Sequence, residues 1–413
     1  MNSSISILQT LDPFDRMMDD LSPLDSIVRN AQVVGIGEGS HFVNEFGLVR
    51  ARLARYLIEK HQFTHISLEM GLLQAMRLNP WVQGQGEEND LNSLAGPLTI
   101  GIYGKFLTWL RRYNLTCSRS IEIIGADLPN TLTFADDLIH LTHYFETVDS
   151  PILELLTQAQ KIASRIEGTS AVTSAVSWSS LSVSEQHLLA SGMSRITQRT
   201  QMLKKAYIEK QGFLEFENAW MHLNSALHTL HMLEAMSDLF AGKALQLDTS
   251  VRDYFAATTL TRMISNQPTM RVLVIAHNNH IQRNLVVFEG GFGAYSMGSY
   301  LSDLFGSKYR CVGLTHLSNT VPEMDFPAPD SPVGFNVKIT EIEDPPGRSF
   351  EQALIALGFS DHITLTNLLQ KDWSLEQVTH MRSQSSHVSL SLQDSFDAVL
   401  SIPCISLDPN ISF

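Results

Sequence analysis

Residues 33–45 read VVGIGEGSHFVNE. The β-branched run at the start fits a buried strand, whose packing requires no charge at its end. Yet the run leads into Glu38, bracketed by Gly37 and Gly39, with His41 three residues on and Glu45 seven on. Open α/β sheets place their ligand crevices outside the carboxyl ends of strands. The stretch therefore predicts a strand that delivers an acid and a base into a crevice-forming turn.

Working outward, three more short apolar runs have the same form. Residues 65–69, 121–127 and 271–277 end in Glu69, Asp127 and His277 respectively. Helical pattern separates each run from the next, which is the signature of parallel strands joined by crossover helices. With these strands side by side and pointing one way, Glu38, Glu69, Asp127 and His277 meet on one sheet edge. The predicted fold class is α/β, a central mostly parallel sheet flanked by helices with a large helical insertion.

Residues 46–62, FGLVRARLARYLIEKHQ, carry Phe46, Val49, Leu53, Tyr56 and Leu57 at helical spacing, a crossover helix that Ser40 or Asn44 would cap. Residues 105–114 read as a second amphipathic helix. From 131 to 265 the pattern is helical only, except for the serine-rich 167–186, which reads as a loop. This divides the chain into a first part of the core (1–130), a helical insertion or cap subdomain that shapes substrate access (131–265), and a second part of the core (266–413). In that last part, Gly290-Gly291-Phe292-Gly293 precedes a helix at 300–305 and a strand at 309–314. The proline-rich 326–332 marks a turn before strands at 334–340 and 397–403.

The totals exclude several function classes. The 413 residues are 44% hydrophobic and 17% charged, with a formal net charge of −14. Arg111-Arg112 and Lys204-Lys205 are the longest basic runs, so a nucleic-acid partner, which needs a concentrated basic face, is not expected. Cys117, Cys311 and Cys404 are scattered, which gives neither a disulfide framework nor a thiolate zinc site and fits a reducing compartment. The N-terminus does not resemble a signal peptide, and no apolar run has membrane-spanning length, so the expected location is cytoplasmic with no membrane partner. No GxSxG elbow, GxGxxG or P-loop is present, leaving serine-nucleophile, dinucleotide and P-loop chemistry unsupported and no cofactor expected.

The chemistry-bearing residues form a short set. Glu38 can fix the tautomer of His41 and stabilise its imidazolium, the pairing a general base requires. Arg50, early in the following helix, can bind a carbonyl or an oxyanion, or lie on the surface beside Arg52 and Arg55. Glu69, in ISLEMG, ends an apolar strand and has to be paired if buried. His277 and His280, in VIAHNNHIQR, follow the strongest strand of the second half, with Asn278 or Asn279 adding hydrogen bonds. His222, His228 and His231 lie on a helix without matched carboxylates and read as ordinary helix histidines.

Taken in order, GEGSHFVNEF, ISLEMG, FLTWLRRYN, IIGAD, VRDYFA, VIAHNNHIQR, MGSYLSDLFGSKYRCVG and SFDAVLSIP resemble the erythromycin esterase family. The resemblance spans most of residues 30–315 and implies hydrolases in which a histidine activates water without a required metal. By motif it makes His41 the base beside Glu38, with Arg50, Glu69, His277 and His280 around the attacked carbonyl. Glu45, Phe42, Asp127, Asn278 and Arg252 are the expected substrate-side residues, while Arg252 and Asp253 match a further family motif and can equally be a structural pair. One departure stands out: the Gly-Thr that follows the histidine in the family is Phe42-Val43 here, which should reshape the site or the backbone at the helix start.

The implied activity is hydrolysis of an ester or lactone of a small-molecule or peptide-like substrate. Rival readings of the same pocket are acyl transfer, cyclisation or elimination. A metal-dependent hydrolase would use Glu38, His41, Glu69, His277 and His280 as ligands, and a binding protein would retain the pocket without turnover.

Overall fold

The structure, a computed structural model, describes residues 4–411 other than 130–133, 167, 169, 288–291, 327, 329 and 371–374. Gly290-Gly291, the first residues of the helical insertion, and parts of the 167–186 and 326–332 stretches lie outside the described residues. In chain order the strands are β1 (Ile5–Ile7), β2 (Val33–Ile36), β3 (His65–Gly71), β4 (Glu122–Asp127), β5 (Val272–Ile275), β6 (Leu285–Val287) and β7 (Gly293–Tyr295). There follow β8 (Tyr309–His316), β9 (Thr320–Asp325), β10 (Asn336–Glu341), β11 (Thr364–Asn367), β12 (His380–Ser383), β13 (Ser386–Ser389) and β14 (Ala398–Ile402).

Eight of them form one sheet in the order β1-β11-β14-β8-β2-β5-β3-β4. From β14 to β4 every neighbouring pair is parallel, and β11 alone runs against its neighbours. The fold is thus α/β around a mostly parallel sheet, as the strand-and-helix alternation predicts. β5 is inserted between β2 and β3, so β2, β5, β3 and β4 are consecutive, and the four ionisable chain ends do share one edge.

The period of two along each strand sorts its side chains between two layers. Val34, Ile36, Ile66, Leu68, Leu273 and Ile275 pack on one face against the helices Asn44–His61, Leu72–Val82 and Pro97–Thr116. Val33, Val272, Val274, Cys311 and Val399 pack on the other, against Val251–Asn266, Met297–Phe305 and Phe350–Ala356. Strands covered on both faces read as continuous apolar runs, which explains why the central strands are legible in the sequence.

Between β4 and β5 every described element is helical. These helices have their own core, including Leu138, Phe145, Leu189, Ile196 and Leu223. The serine-rich 167–186 is not a loop: it contains the helix Ala171–Ser179 and the start of Val183–Met202. Ser170 accepts from the Thr173 amide, and Ser182 from the Glu185 amide, in reciprocal capping boxes. Two of its serines, Ser170 and Ser182, are there to start helices.

A second expectation also fails at a helix start. Neither Ser40 nor Asn44 caps Asn44–His61; the N-cap is Val43, without a side-chain bond. The Asn44 amide donates instead to the Ser406 carbonyl at 2.9 Å, so the C-terminal segment supplies the acceptor. Among the described residues no helix is long and apolar enough to cross a membrane.

Candidate active site

The turn after β2 is shaped by what presses on it. A Cβ on Gly37 would lie 1.9 Å from Asn278 Oδ1, and one on Gly39 would lie 2.8 Å from the Leu314 carbonyl. Asn278 donates through Nδ2 to the Leu314 carbonyl (2.7 Å), accepts the Leu314 amide at Oδ1 (3.1 Å), and gives its own amide to the Glu38 carbonyl (2.8 Å). The two glycines let the turns after β2 and β5 and the end of β8 approach one another, with Glu38 held at the centre.

Glu38 is buried between two partners. Its Oε1 lies 2.6 Å from His41 Nδ1, and its Oε2 lies 2.8 Å from Arg50 Nη2, with Glu38 and Arg50 each 1% exposed. The Arg50 guanidinium also lies over the Tyr103 ring, 5.5 Å from its centroid. Because Nδ1 of His41 is engaged by the carboxylate, Nε2 is the nitrogen left to accept a proton. His41 lines the cleft described below.

A second acidic group lies opposite. β3 has a register irregularity between Leu68 and Gly71, and such bulges re-aim side chains. Glu69 Oε1 accepts from Arg252 Nη2 at 3.0 Å and lies 3.3 Å from His280 Nε2. Its Oε2 accepts the His277 amide at 2.8 Å and the Tyr103 hydroxyl at 3.3 Å. Burial pushes the Glu69 carboxyl up, but His280, Arg252, His41 and His277 outweigh it and hold the group well below the usual carboxylate range.

Arg252 is fixed from behind by Asp127, which accepts from Nε at 2.9 Å and also from Nη2. His280 Nδ1 pairs with Asp253 at 2.8 Å, and Asp253 accepts the Met297 amide at 2.7 Å. Burial works against charge on His280, yet Asp253 overcomes it despite Arg252, with Glu69 assisting, so His280 is shifted up. His277 goes the other way: burial first, then the charges of His41 and His280, push it well below its usual value against Glu69 and the Gly39 carbonyl. Its Nδ1 accepts the Asn279 amide at 3.2 Å, and its ring centroid lies 4.9 Å from that of His41. The edge therefore holds one imidazole shifted toward its charged form, one shifted toward its neutral form, and one paired to a carboxylate.

These groups open into a cleft of about 860 Å³, solvent at its mouth included. Its floor is His41, Glu69, Arg252 and His280; its walls include Phe42, Phe335, Phe326 and Met324 on one side and Ser170, Ala171 and Val172 from the helical region on another. Arg252 and Ala171 also border a second space of about 600 Å³ that contains Met232 and Met236. Phe42 is 2% exposed and left-handed at φ 65°. It thus keeps a glycine-type conformation at a cost of about 1–2 kcal/mol, clamped by packing on Phe335 and by the Asp408 amide on its carbonyl.

The structure brings His41, Glu38, Glu69, His277, His280, Arg252, Asp127 and Phe42 together, but not every expected residue touches the cleft. Arg50 does not line the cleft: it lies buried behind Glu38 and pairs with that carboxylate. Glu45 is turned away as well, accepting the Ser406 amide and hydroxyl at 2.7 Å each. Asn278 is buried and consumed by Leu314. Arg252 and Asp253 are not paired with each other, since each serves a different partner. His222 is a satisfied core residue on Asp137, 2.8 Å away.

Sequence reasoning missed Tyr103, the Phe335 wall and the Ser170–Val172 edge, none of which has a local motif; Asp253 was visible only as the neighbour of Arg252. Among the described residues no group of three or more histidine, cysteine, aspartate or glutamate side chains is placed to hold a metal ion. Glu69 and Asp253 instead face cations of the chain itself.

Comparison with known proteins adds an independent line. A family model described as erythromycin esterase matches residues 58–404; the Glu38–His41 turn precedes that span. The chain is 36% identical to erythromycin esterase type I of Escherichia coli over 401 residues, covering 96% of this chain and 97% of that protein. Identity to erythromycin esterase type II of Escherichia coli is 29%, over 94% of this chain and 93% of the relative. The solved structure of a mutant of the erythromycin esterase EreC in its open conformation superposes with a TM-score of 0.95 at 34% identity, covering 99% and 100% of the two chains. A Bacillus cereus protein shares the fold, with a TM-score of 0.74 at 18% identity over 97% and 95% of the two chains.

Proposed function

The chain belongs to the erythromycin esterase family, and on that premise we propose that its cleft hydrolyses a carboxylic ester or lactone, with erythromycin the first substrate to test. The observation that carries this reading is the line Arg50–Glu38–His41. A buried cation fixes a carboxylate, the carboxylate fixes Nδ1, and the remaining imidazole nitrogen serves a cleft whose floor also carries Arg252 and His280 around Glu69.

In this reading His41 Nε2 takes a proton from water as the water oxygen attacks the carbonyl carbon. The charge that develops on the carbonyl oxygen is met by Arg252 and protonated His280, held in advance by Asp127 and Asp253. Collapse breaks the acyl carbon–oxygen bond, and the proton on His41 passes to the departing alkoxide. Neutral His277 is a further N–H donor at the same edge. Phe42 and the Phe335 wall take the apolar body of the substrate, and the helical region assigned as a cap closes the opposite side with residues 170–172. Three unpaired cysteines support a reducing, cytoplasmic setting for this activity.

The test is turnover of erythromycin followed by mass spectrometry. Wild type should yield a product heavier by one water, and H41A should lose roughly 10²–10⁴-fold in kcat while remaining folded. Full turnover by H41A would remove His41 from the mechanism.

A further inference from the structure

A residue far along the chain holds the catalytic turn in place. β12 and β13 form a hairpin with Ser383 paired to Ser386, so Gln384 and Ser385 make the two-residue turn. The Gln384 amide donates to the Gly39 carbonyl at 2.7 Å. Its side-chain Oε1 accepts the backbone amide of His41 at 2.8 Å. One residue thus grips both sides of the Gly39-Ser40-His41 segment, and it does so from outside the cleft, whose lining it does not join.

Two further features show that the side chain itself matters. Gln384 is left-handed, at φ 55°, the position in such a turn where glycine is the favoured residue. A glycine there would keep the backbone bond to Gly39 and relieve the strain, losing only the side-chain bonds to His41 and Glu323. The amide is also oriented: Gln384 Nε2 donates to Glu323 Oε1 at 3.3 Å, and Glu323 Oε2 accepts the Ser385 amide at 3.0 Å. With its N–H committed to Glu323, the carbonyl end has to point at His41.

We infer that Gln384, oriented by Glu323, is a positioning residue for His41, setting where the imidazole stands relative to the attacked carbonyl. The inference rests on His41 being the base. Small displacements of a reacting group cost large factors in rate, whereas substrate binding, which Gln384 does not touch, should be unaffected.

The test uses the full chain with erythromycin and four variants: Q384G, Q384E, Q384E/E323Q and H41A. Q384G should have an unchanged or raised Tm and an unchanged KM, with kcat lowered at least tenfold. Q384E should impair turnover by setting two carboxylates together. It should also move the acidic limb of the kcat/KM profile to higher pH, because an added negative charge favours the protonated His41. Q384E/E323Q restores one donor and one acceptor and should recover kcat to within about threefold of wild type. Wild-type kcat in Q384G, or a loss that only follows a fall in Tm, overturns the inference while an inactive H41A leaves the base assignment standing. Activity in H41A removes the base, and the inference falls with it.

Discussion

Two clusters at the sheet edge have the same composition and different designs. Glu38, Arg50 and His41 are one carboxylate, one arginine and one histidine; so are Glu69, Arg252 and His280. In the first, the arginine is sealed behind the carboxylate at 1% exposure and only the histidine faces the cleft. In the second, the arginine is 22% exposed and faces the cleft beside the histidine, with Asp127 and Asp253 behind them. A carboxylate backed by a cation makes a base, and cations backed by carboxylates make a site for negative charge. Depth, rather than residue type, decides which cluster does which.

Exchanging the roles of the arginines is the largest test of that contrast. R50A strands a buried carboxylate and should cost about 3–5 kcal/mol of stability, read as a lowered denaturant midpoint. R252K keeps the charge but loses the planar fork; it should retain a near-native midpoint and lose about a hundredfold in kcat. Similar stability losses in both would erase the distinction.

Removing the anion behind His280 probes the second cluster alone. Asp253 holds His280 above its ordinary value of 6.5, so the charged form is favoured in the fold. Its stabilisation is fully present below 6.5 and is lost as pH rises through the raised value. D253N should bring the alkaline decline of kcat to lower pH, as a pH–rate profile would show. An unmoved limb would mean that His280 need not be charged.

The smallest effect belongs to the residue the clusters share. Tyr103 lies beneath the Arg50 guanidinium and donates to Glu69. Y103F keeps the ring and removes the hydroxyl, costing about 1 kcal/mol in stability with a few-fold change in kcat. A loss as large as that of R50A would show the clusters to be one unit.

Much of this edge was legible in the sequence because strands buried on both faces make apolar runs and their chemistry sits where those runs end. Glu38, Glu69, Asp127 and His277 were found that way. The roles of the arginines were not legible, since Arg50 and Arg252 differ only in which atoms lie in front of them. Gln384 and Tyr103 come from a turn and a helix with no motif, and reach the site through a pair of hydrogen bonds and through a ring with its hydroxyl, respectively. The serine-rich 167–186 misled by composition, although its Ser182 to Glu185 spacing already matched a helix start.

The insertion of β5 between β2 and β3 also dictates an order of assembly. β2 and β3 each pair with β5 rather than with each other, so a chain emerging from the ribosome has both strands long before it has the one that joins them. Residues 72–271, including the whole helical stretch, separate the end of β3 from the start of β5. Until β5 arrives, both strands expose open edges, the condition under which partly made chains associate wrongly. The Asn278 amide that holds the Glu38 carbonyl is synthesised just after β5, so the base cannot be set before that strand is in place.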